Sequence, residues 1–415
     1  MSSMVREVSR NHRATAVVSG EATAKRRQIG AFALLVSMVA SFLAASASPT
    51  PLYQRYSHDW HGTALTTTEA FGVYALAVLV GLLVFGEISN HVGRRPVLLI
   101  ALALQTAALG LFATAHSYEP LFAGRVLQGI AAGAALGTIG AMMIEIHRVY
   151  GTTASSAAPG AGTGLGALVA GIVVAYLPWP THLIYLMLVA VFAIQAVAVV
   201  LMLEANPTRT GALASLRPTV LIPAPARAAF VTAAPVLFAA WALAGFYGSL
   251  GPALIHVLAP KSNVAVAGLA LFLMAGTAAV LTYIRRSHDT RAQLIHGVGA
   301  LILGVALSII AISYDSLWGF LGATLLSGAG FGMGLQGSIG SVAALVKQEE
   351  RPGLLSAVYL VSYAGMGGPA VLAGWLASRG YKITDVAIGY AAILLVLAAL
   401  AGAKLLTSRG HAGDE

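Results

Sequence analysis

The chain has no cysteine in 415 residues and very little charge, with Asp, Glu, Lys and Arg at 9% of positions. Without thiols there are no disulfides, no cysteine-ligated zinc, no iron–sulfur cluster and no thiol catalysis. The shortage of charge excludes more. A soluble domain is about a quarter charged, so this chain lacks the polar surface to clothe a water-soluble globule. A soluble enzyme and a disordered scaffold are therefore ruled out. There is also no Gly-x-x-x-x-Gly-Lys-Ser/Thr loop to cradle a nucleotide phosphate. The net charge of +9 would point to nucleic acid only if the basic residues gathered on one face, and they do not.

What the chain has in abundance is apolar sequence, at 58% hydrophobic residues. Stretches without Asp, Glu, Lys or Arg cover 28–54, 70–86, 96–118, 126–144, 149–203, 228–260, 262–284, 292–314, 316–346, 352–378 and 386–403. A membrane helix needs about 20 mostly apolar residues, because each adds about 1.5 Å across a hydrocarbon core about 30 Å thick. The fifth stretch is too long for one crossing, and Pro178-Trp179-Pro180 marks a turn inside it. Splitting it there predicts twelve spans. Uniform apolar runs also exclude a membrane barrel, whose strands alternate in hydrophobicity.

The basic residues orient these spans. With both termini on the cytoplasmic side, 19 Lys and Arg fall in inner segments and four, Arg55, Lys261, Arg379 and Lys382, in outer ones. Lys and Arg beside short loops resist translocation, so the positive charge is a topology signal. The expected division is a cytoplasmic tail at 1–28, a six-helix bundle at 29–203, a cytoplasmic linker at 204–227, a second bundle at 228–407 and a tail at 408–415. Pro207, Pro218, Pro223 and Pro225 give the linker its surface composition. Lys25-Arg26-Arg27, an apolar run and Ala45-Ser46-Ala47 resemble a cleavable signal. The run is long for one, and the two halves match only if the first span is kept.

A shift of 203 positions lays Gly129 on Gly332, Gly137 on Gly340, Gly164 on Gly367 and Gly171 on Gly374, as expected of two parallel repeats. Small residues let helix backbones approach closely in lipid. Gly129, Gly133 and Gly137 in span 4, Gly166 and Gly171 in span 5, Gly330 and Gly334 in span 10 and Gly368 in span 11 are the expected packing positions.

Two motifs go further. After span 2 comes Gly86-Glu87-Ile88-Ser89-Asn90-His91-Val92-Gly93-Arg94-Arg95. This resembles the loop 2–3 signature of the major facilitator superfamily, Gly-x-x-x-Asp-x-x-Gly-Arg-Lys/Arg, with Asn90 where the family usually has aspartate. The second is Gly124-Arg125-Val126-Leu127-Gln128-Gly129, which resembles the family's fourth-span pattern. Arg125 lies about 9 Å down the helix from Glu119 and Pro120. At that depth an unpaired arginine costs about 2 kcal/mol or more. The resemblance implies a part in proton coupling for Arg125, with Gln128 beside it. Glu69, at the outer start of span 2, is the expected salt-bridge partner and titratable carboxylate; the alternative is a helix N-terminal charge at a wet interface. Glu145, His147 and Arg148 read as a wet helix end rather than a metal site.

The antiporter subset of the family has a Gly-Pro step followed by paired glycines in span 5. Gly166-Ala167-Leu168-Val169-Ala170-Gly171 lacks that proline, whereas Gly368-Pro369 occurs in span 11. Tyr359, Ser362, Tyr363 and Met366 share one face of span 11. With Trp241 and Tyr247 in span 7 and Gln336 in span 10, they are the candidates for a substrate cavity. An aromatic, Met-lined cavity suits apolar or weakly polar compounds, cationic ones included.

The resemblance implies an all-α membrane fold of two pseudo-symmetric six-helix bundles working by alternating access, with no cofactor beyond an ion gradient. The expected activity is proton-driven export of a small organic or drug-like compound by a monomer in a bacterial inner membrane. An uptake symporter or facilitator for a metabolite is the alternative. A membrane-embedded enzyme or sensor would need convergent catalytic groups or an appended domain, and the sequence offers neither.

Overall fold

The computed structural model describes residues 2–202 and 210–407, with side chains from Lys25 onward and up to Leu405. The expected tail at 408–415 and part of the linker lie outside the described residues. Among those described there is helix and no strand. Lipid leaves no other choice for these segments, since an unpaired peptide group in hydrocarbon costs several kcal/mol, roughly, and only helices and closed barrels pair them all.

Twelve long helices form the bundle: α1 (Ser2–Ala47), α2 (Ala64–Phe85), α3 (Arg94–Ala113), α4 (Tyr118–Ile146), α5 (Arg148–Tyr176), α6 (Leu183–Leu201), α7 (Arg227–Ser249), α8 (Ala265–Ile284), α9 (Thr290–Ser313), α10 (Leu317–Ala343), α11 (Arg351–Ser378) and α12 (Ile383–Thr407). Polar caps fix where several begin. Thr63 and Thr66 exchange hydrogen bonds of 3.3 Å ahead of α2, a reciprocal cap that satisfies two otherwise orphaned N–H groups. Asp289 Oδ2 accepts from Ala292 N at 3.0 Å ahead of α9.

Two helices depart from the sequence reading. α1 is longer than the span expected from residue 29, since it runs unbroken for 46 residues from Ser2. Among the described residues eleven helices are long and apolar enough to cross a membrane by composition, and α10, expected as a span, is not one of them. It has 27 residues, but its glycines and Gln336 dilute its hydropathy. α10 packs against α7, α8 and α9, so it needs less apolar surface toward lipid. A third correction concerns α5, which has an internal proline after all. Pro159 lies inside it, followed by Gly160, Gly162 and Gly164, about two turns before the segment where the proline was sought.

The glycines bring the helices together. A Cβ on Gly129 would stand 2.5 Å from Ala77 Cβ, and one on Gly133 2.6 Å from Gly81 C, so α4 lies directly on α2. A Cβ on Gly166 would stand 2.2 Å from Ala44 Cα, and one on Gly330 2.5 Å from Leu301 N. Gly334 is the surface against which Gly297 packs, at 2.3 Å from a Cβ placed there. Gly137 makes only ordinary contact, at 3.4 Å from Gly86 O. Gly368 is corrected outright: nothing lies within 4 Å of its Cβ position, because its side of α11 faces open space.

The same contacts display the repeat. Gly129 of α4 meets α2, and its counterpart Gly332 of α10 meets Ala278 of α8. Gly164 and Gly171 of α5 meet α8, while Gly367 and Gly374 of α11 meet α2. Exchanging the halves maps one set onto the other. The pair Gly137 and Gly340 departs from it, since Gly340 meets Thr290.

Two seams therefore join the halves, α2 with α11 and α5 with α8. The first lies at the end of the bundle that carries the 48–63 connection. There Leu65 N donates to Ser378 Oγ at 2.9 Å, and a Cβ on Gly374 would fall 1.9 Å from Thr68 Oγ1. Thr50 Oγ1 donates to Gly248 O at 3.1 Å across the same face.

Gly133→Ala should lower the melting temperature of the detergent-solubilised protein by several degrees, because overpacking a tight contact costs about 1–3 kcal/mol. Gly368→Ala should leave it unchanged. Differential scanning fluorimetry on both variants checks the contrast.

Candidate functional site

Arg125 sits on α4 with no exposed surface and is the largest fully buried side chain. Its Nη1 donates to Ser46 O at 2.9 Å and to Gln128 Oε1 at 2.7 Å. Its Nη2 donates to the Tyr53 hydroxyl. The guanidinium also lies 5.2 Å from the Tyr74 ring centre, 5.6 Å from that of Tyr53 and 5.8 Å from that of Phe112. Gln128 completes the cage by donating from Nε2 to Ala45 O at 3.0 Å. Burying a cation costs several kcal/mol, roughly. Hydrogen bonds from a charged donor return about 1.5–3 kcal/mol each and a desolvated cation–π contact about 2. The cage thus holds the charge without a carboxylate.

The expected Arg125–Glu69 bridge is absent. The ion pairs among the described residues are Arg55–Asp59, His58–Asp59 and Arg94–Glu145. Helical periodicity explains the miss. Glu69 shares its stripe of α2 with Leu76 and Val80, which are exposed, whereas Phe71, Tyr74, Ala75 and Val78 on the other side are buried. Depth along the axis was matched, but the angle around it was not.

Sequence reasoning also missed the other half of the cage. Ser46 and Ala45, the small residues of the supposed cleavage site, supply backbone carbonyls to it. Tyr53 comes from the short helix Tyr53–Asp59 that follows α1. In that helix Tyr56 shares a hydroxyl–hydroxyl hydrogen bond of 2.9 Å with Tyr185 and stacks on Trp60 at 4.3 Å between ring centres. Their spacing at 53, 56 and 60 is one helical face and was the available signal.

The loop 2–3 motif divides by role. Gly93 has φ +95, a conformation that requires glycine at the turn. Arg94 is buried and donates to Glu145 of α4 and, at 3.4 Å, to Thr138 O. The loop is thereby tied to the end of α4, where Glu145, His147 and Arg148 are exposed as expected of a wet helix end. Asn90 is exposed and Gly86 and Arg95 are part-buried.

Of the cavity candidates, Trp241, Tyr359, Tyr363 and Met366 join Phe71, Tyr74 and Ala75 in one cluster where the halves meet. The Trp241 ring centre lies 4.9 Å from that of Tyr363 and 6.0 Å from that of Phe331. Trp241 Nε1, Gln336 Oε1 and Ser362 Oγ are buried without hydrogen-bond partners. Tyr247 is a correction. It points into the C-terminal half, where its hydroxyl pairs with Thr324 Oγ1 at 2.7 Å and its ring stacks on Phe320. A separate cavity of about 320 Å³ between α7, α11 and α12 is lined by Phe238, Pro369, Leu372, Tyr390 and their neighbours, and by none of these candidates.

Comparison with known proteins gives a consistent picture. Residues 30–334 match the family model of the Major Facilitator Superfamily. Multidrug resistance protein D of Escherichia coli is 28% identical over 109 residues, which are 26% of this chain and 28% of that protein. The MFS-type transporter TwmF of Talaromyces wortmannii is 30% identical over 116 residues, 27% of this chain and 21% of the relative. These matches span between a fifth and a third of the relatives' lengths. A crystal structure of the nucleoside transporter NupG superposes with a TM-score of 0.68 at 12% identity, over 91% of this chain and 99% of that one. At that identity the likeness concerns the fold alone.

Tyr53→Phe should destabilise the protein by about 1–3 kcal/mol by leaving a buried charged donor short of an acceptor. Glu69→Gln should not change stability measurably. Thermal melts of the two variants in one detergent test the cage against the discarded ion pair.

Proposed function

The chain belongs to the major facilitator superfamily, and on that premise we propose that it exports a small organic compound by alternating access, driven by the proton gradient. Membership makes it a multi-pass membrane transporter rather than an enzyme. The observation that carries the alternating-access reading is the pair of glycine seams. At Gly374 against Thr68 and Gly171 against Ala265, the halves meet through small residues at one end of the bundle. Such faces can part with little side-chain interlock to undo. The basic residues place that end outside, with both termini at the cytoplasmic face of a cell membrane, a bacterial inner membrane on this reading. The structure is then the state closed to the outside.

The bundles at 29–203 and 228–407 are the two rocking bodies, and 204–227 is the link between them. Each body has its own core, and their shared surface includes the Trp241–Tyr363 cluster, which is where the compound would sit. One chain supplies both bodies, so the working unit is a monomer. Export is supported by the partial likeness to a protein named for multidrug resistance. Coupling falls to the cage of Arg125, Gln128 and Tyr53. It ties α4 to the end of α1, next to the Thr50–Gly248 contact that must break when the outer face opens.

Because the chain has no cysteine, a double substitution tests the cycle directly. Leu65→Cys with Ser378→Cys should form a disulfide across the closed seam, abolish transport on oxidation and regain it on reduction. Transport that continues in the crosslinked protein would contradict alternating access. Efflux from cells should also stop when a protonophore collapses the gradient; unchanged efflux would remove the proton as driver, and net inward accumulation would reverse the direction.

A further inference from the structure

The interior holds a buried positive charge with no acid beside it, and this bears on what the central cluster will accept. Resting on the reading of the Trp241–Tyr363 cluster as the substrate's seat, we propose that the transported compound is an anion, a monocarboxylate on an aromatic or otherwise apolar body. Aromatic lining alone would equally suit a cation. The surrounding charge decides between them.

Arg125 is fully buried, and the oxygens that accept from it belong to a carbonyl, an amide and a phenol, none of them a carboxylate. Its Nε has no acceptor. The acids of α4 stand at its two ends, Glu119 and Glu145, the latter paired with Arg94, and α5, α7, α8, α10 and α11 contain neither Asp nor Glu. In α2 the single acid, Glu69, lies on the stripe facing away. Tyr74 connects the two places, since its ring covers the guanidinium at 5.2 Å and its side chain packs in the same cluster as Tyr363 and Met366. A unit charge about 10 Å from another, through an effective permittivity of about 20, changes binding on the order of tenfold. That field favours an anion over its neutral counterpart and penalises a cation by a like factor.

One unused polar group of the cluster points the same way. Trp241 Nε1 can only donate, and it is buried without an acceptor. Ser362 Oγ is buried and unpartnered, and the hydroxyls of Tyr359 and Tyr363 make no hydrogen bond among the described residues. Gln336 Oε1 is a further unpartnered acceptor, and each hydroxyl oxygen can accept as well as donate. A carboxylate, which only accepts, can take the Trp241 N–H, whereas an ammonium, which only donates, cannot; the hydroxyls and the Gln336 amide serve either.

The test uses the purified full-length chain in detergent and three matched probes: 2-naphthoate, neutral 2-naphthylmethanol and 2-naphthylmethylammonium. Equilibrium dialysis should give at least tenfold tighter binding for the naphthoate than for the ammonium. Arg125→Lys should keep that ratio, and Arg125→Gln should bring it near one. Trp241→Phe should weaken naphthoate by a larger factor than the neutral probe, a readout that does not depend on Arg125→Gln folding. Equal or tighter binding of the ammonium, or an unaltered naphthoate affinity in folded Trp241→Phe, would overturn the proposal and leave the transport reading intact. Binding of none of the three probes would overturn both, by removing the cluster as a substrate seat.

Discussion

Close backbone approach at glycine is the constraint on which the rest of this structure depends. In water, helices are driven together by burying apolar surface, but lipid offers no such gain because its tails are as apolar as leucine. What remains is dispersion between well-fitted surfaces, and that fit demands small residues. The chain meets the demand with 46 glycines. Gly133 against Gly81, Gly166 against Ala44 and Gly245 against Met366 place backbone on backbone. The same residue type serves both within each half and between the halves, so the molecule can be tightly packed and still divisible along the α2–α11 and α5–α8 seams.

Arg125 is the exception that the packing has to accommodate. A cation in the middle of a half needs acceptors, and those it finds are produced by chain geometry rather than by charge. The last turn of α1 ends where the carbonyls of Ala45 and Ser46 can face α4, and the helix Tyr53–Asp59 turns back to bring the Tyr53 hydroxyl into reach. The result links the charge to the very segment that closes the outer-assigned face through Thr50. An arginine neutralised by a carboxylate would contribute little field beyond its pair. One solvated by carbonyls, amide and phenol keeps its field.

Much of the architecture was legible in advance. Eleven of the twelve expected spans and the correspondence of Gly129, Gly164 and Gly171 with Gly332, Gly367 and Gly374 follow from hydropathy and spacing. These quantities depend on the axial coordinate, which a sequence records directly. The errors share one cause. Glu69 and Arg125 have matching depths but face different ways, Tyr247 turns into its own half rather than toward the other, and Gly368 faces open space. Each error lies in the angle around a helix axis, and that angle is set by the neighbours.

The amino-acid order by itself determined that this is a helical membrane protein and which family it resembles, because lipid thickness and short motifs act locally along the chain. Only the tertiary structure decided who surrounds Arg125, which aromatics meet at the interface of the halves and which glycines touch backbone. Those outcomes are fixed by contacts between residues scores of positions apart, such as Ser46 with Arg125 or Leu65 with Ser378, and rotation of one helix against another leaves no mark in hydropathy.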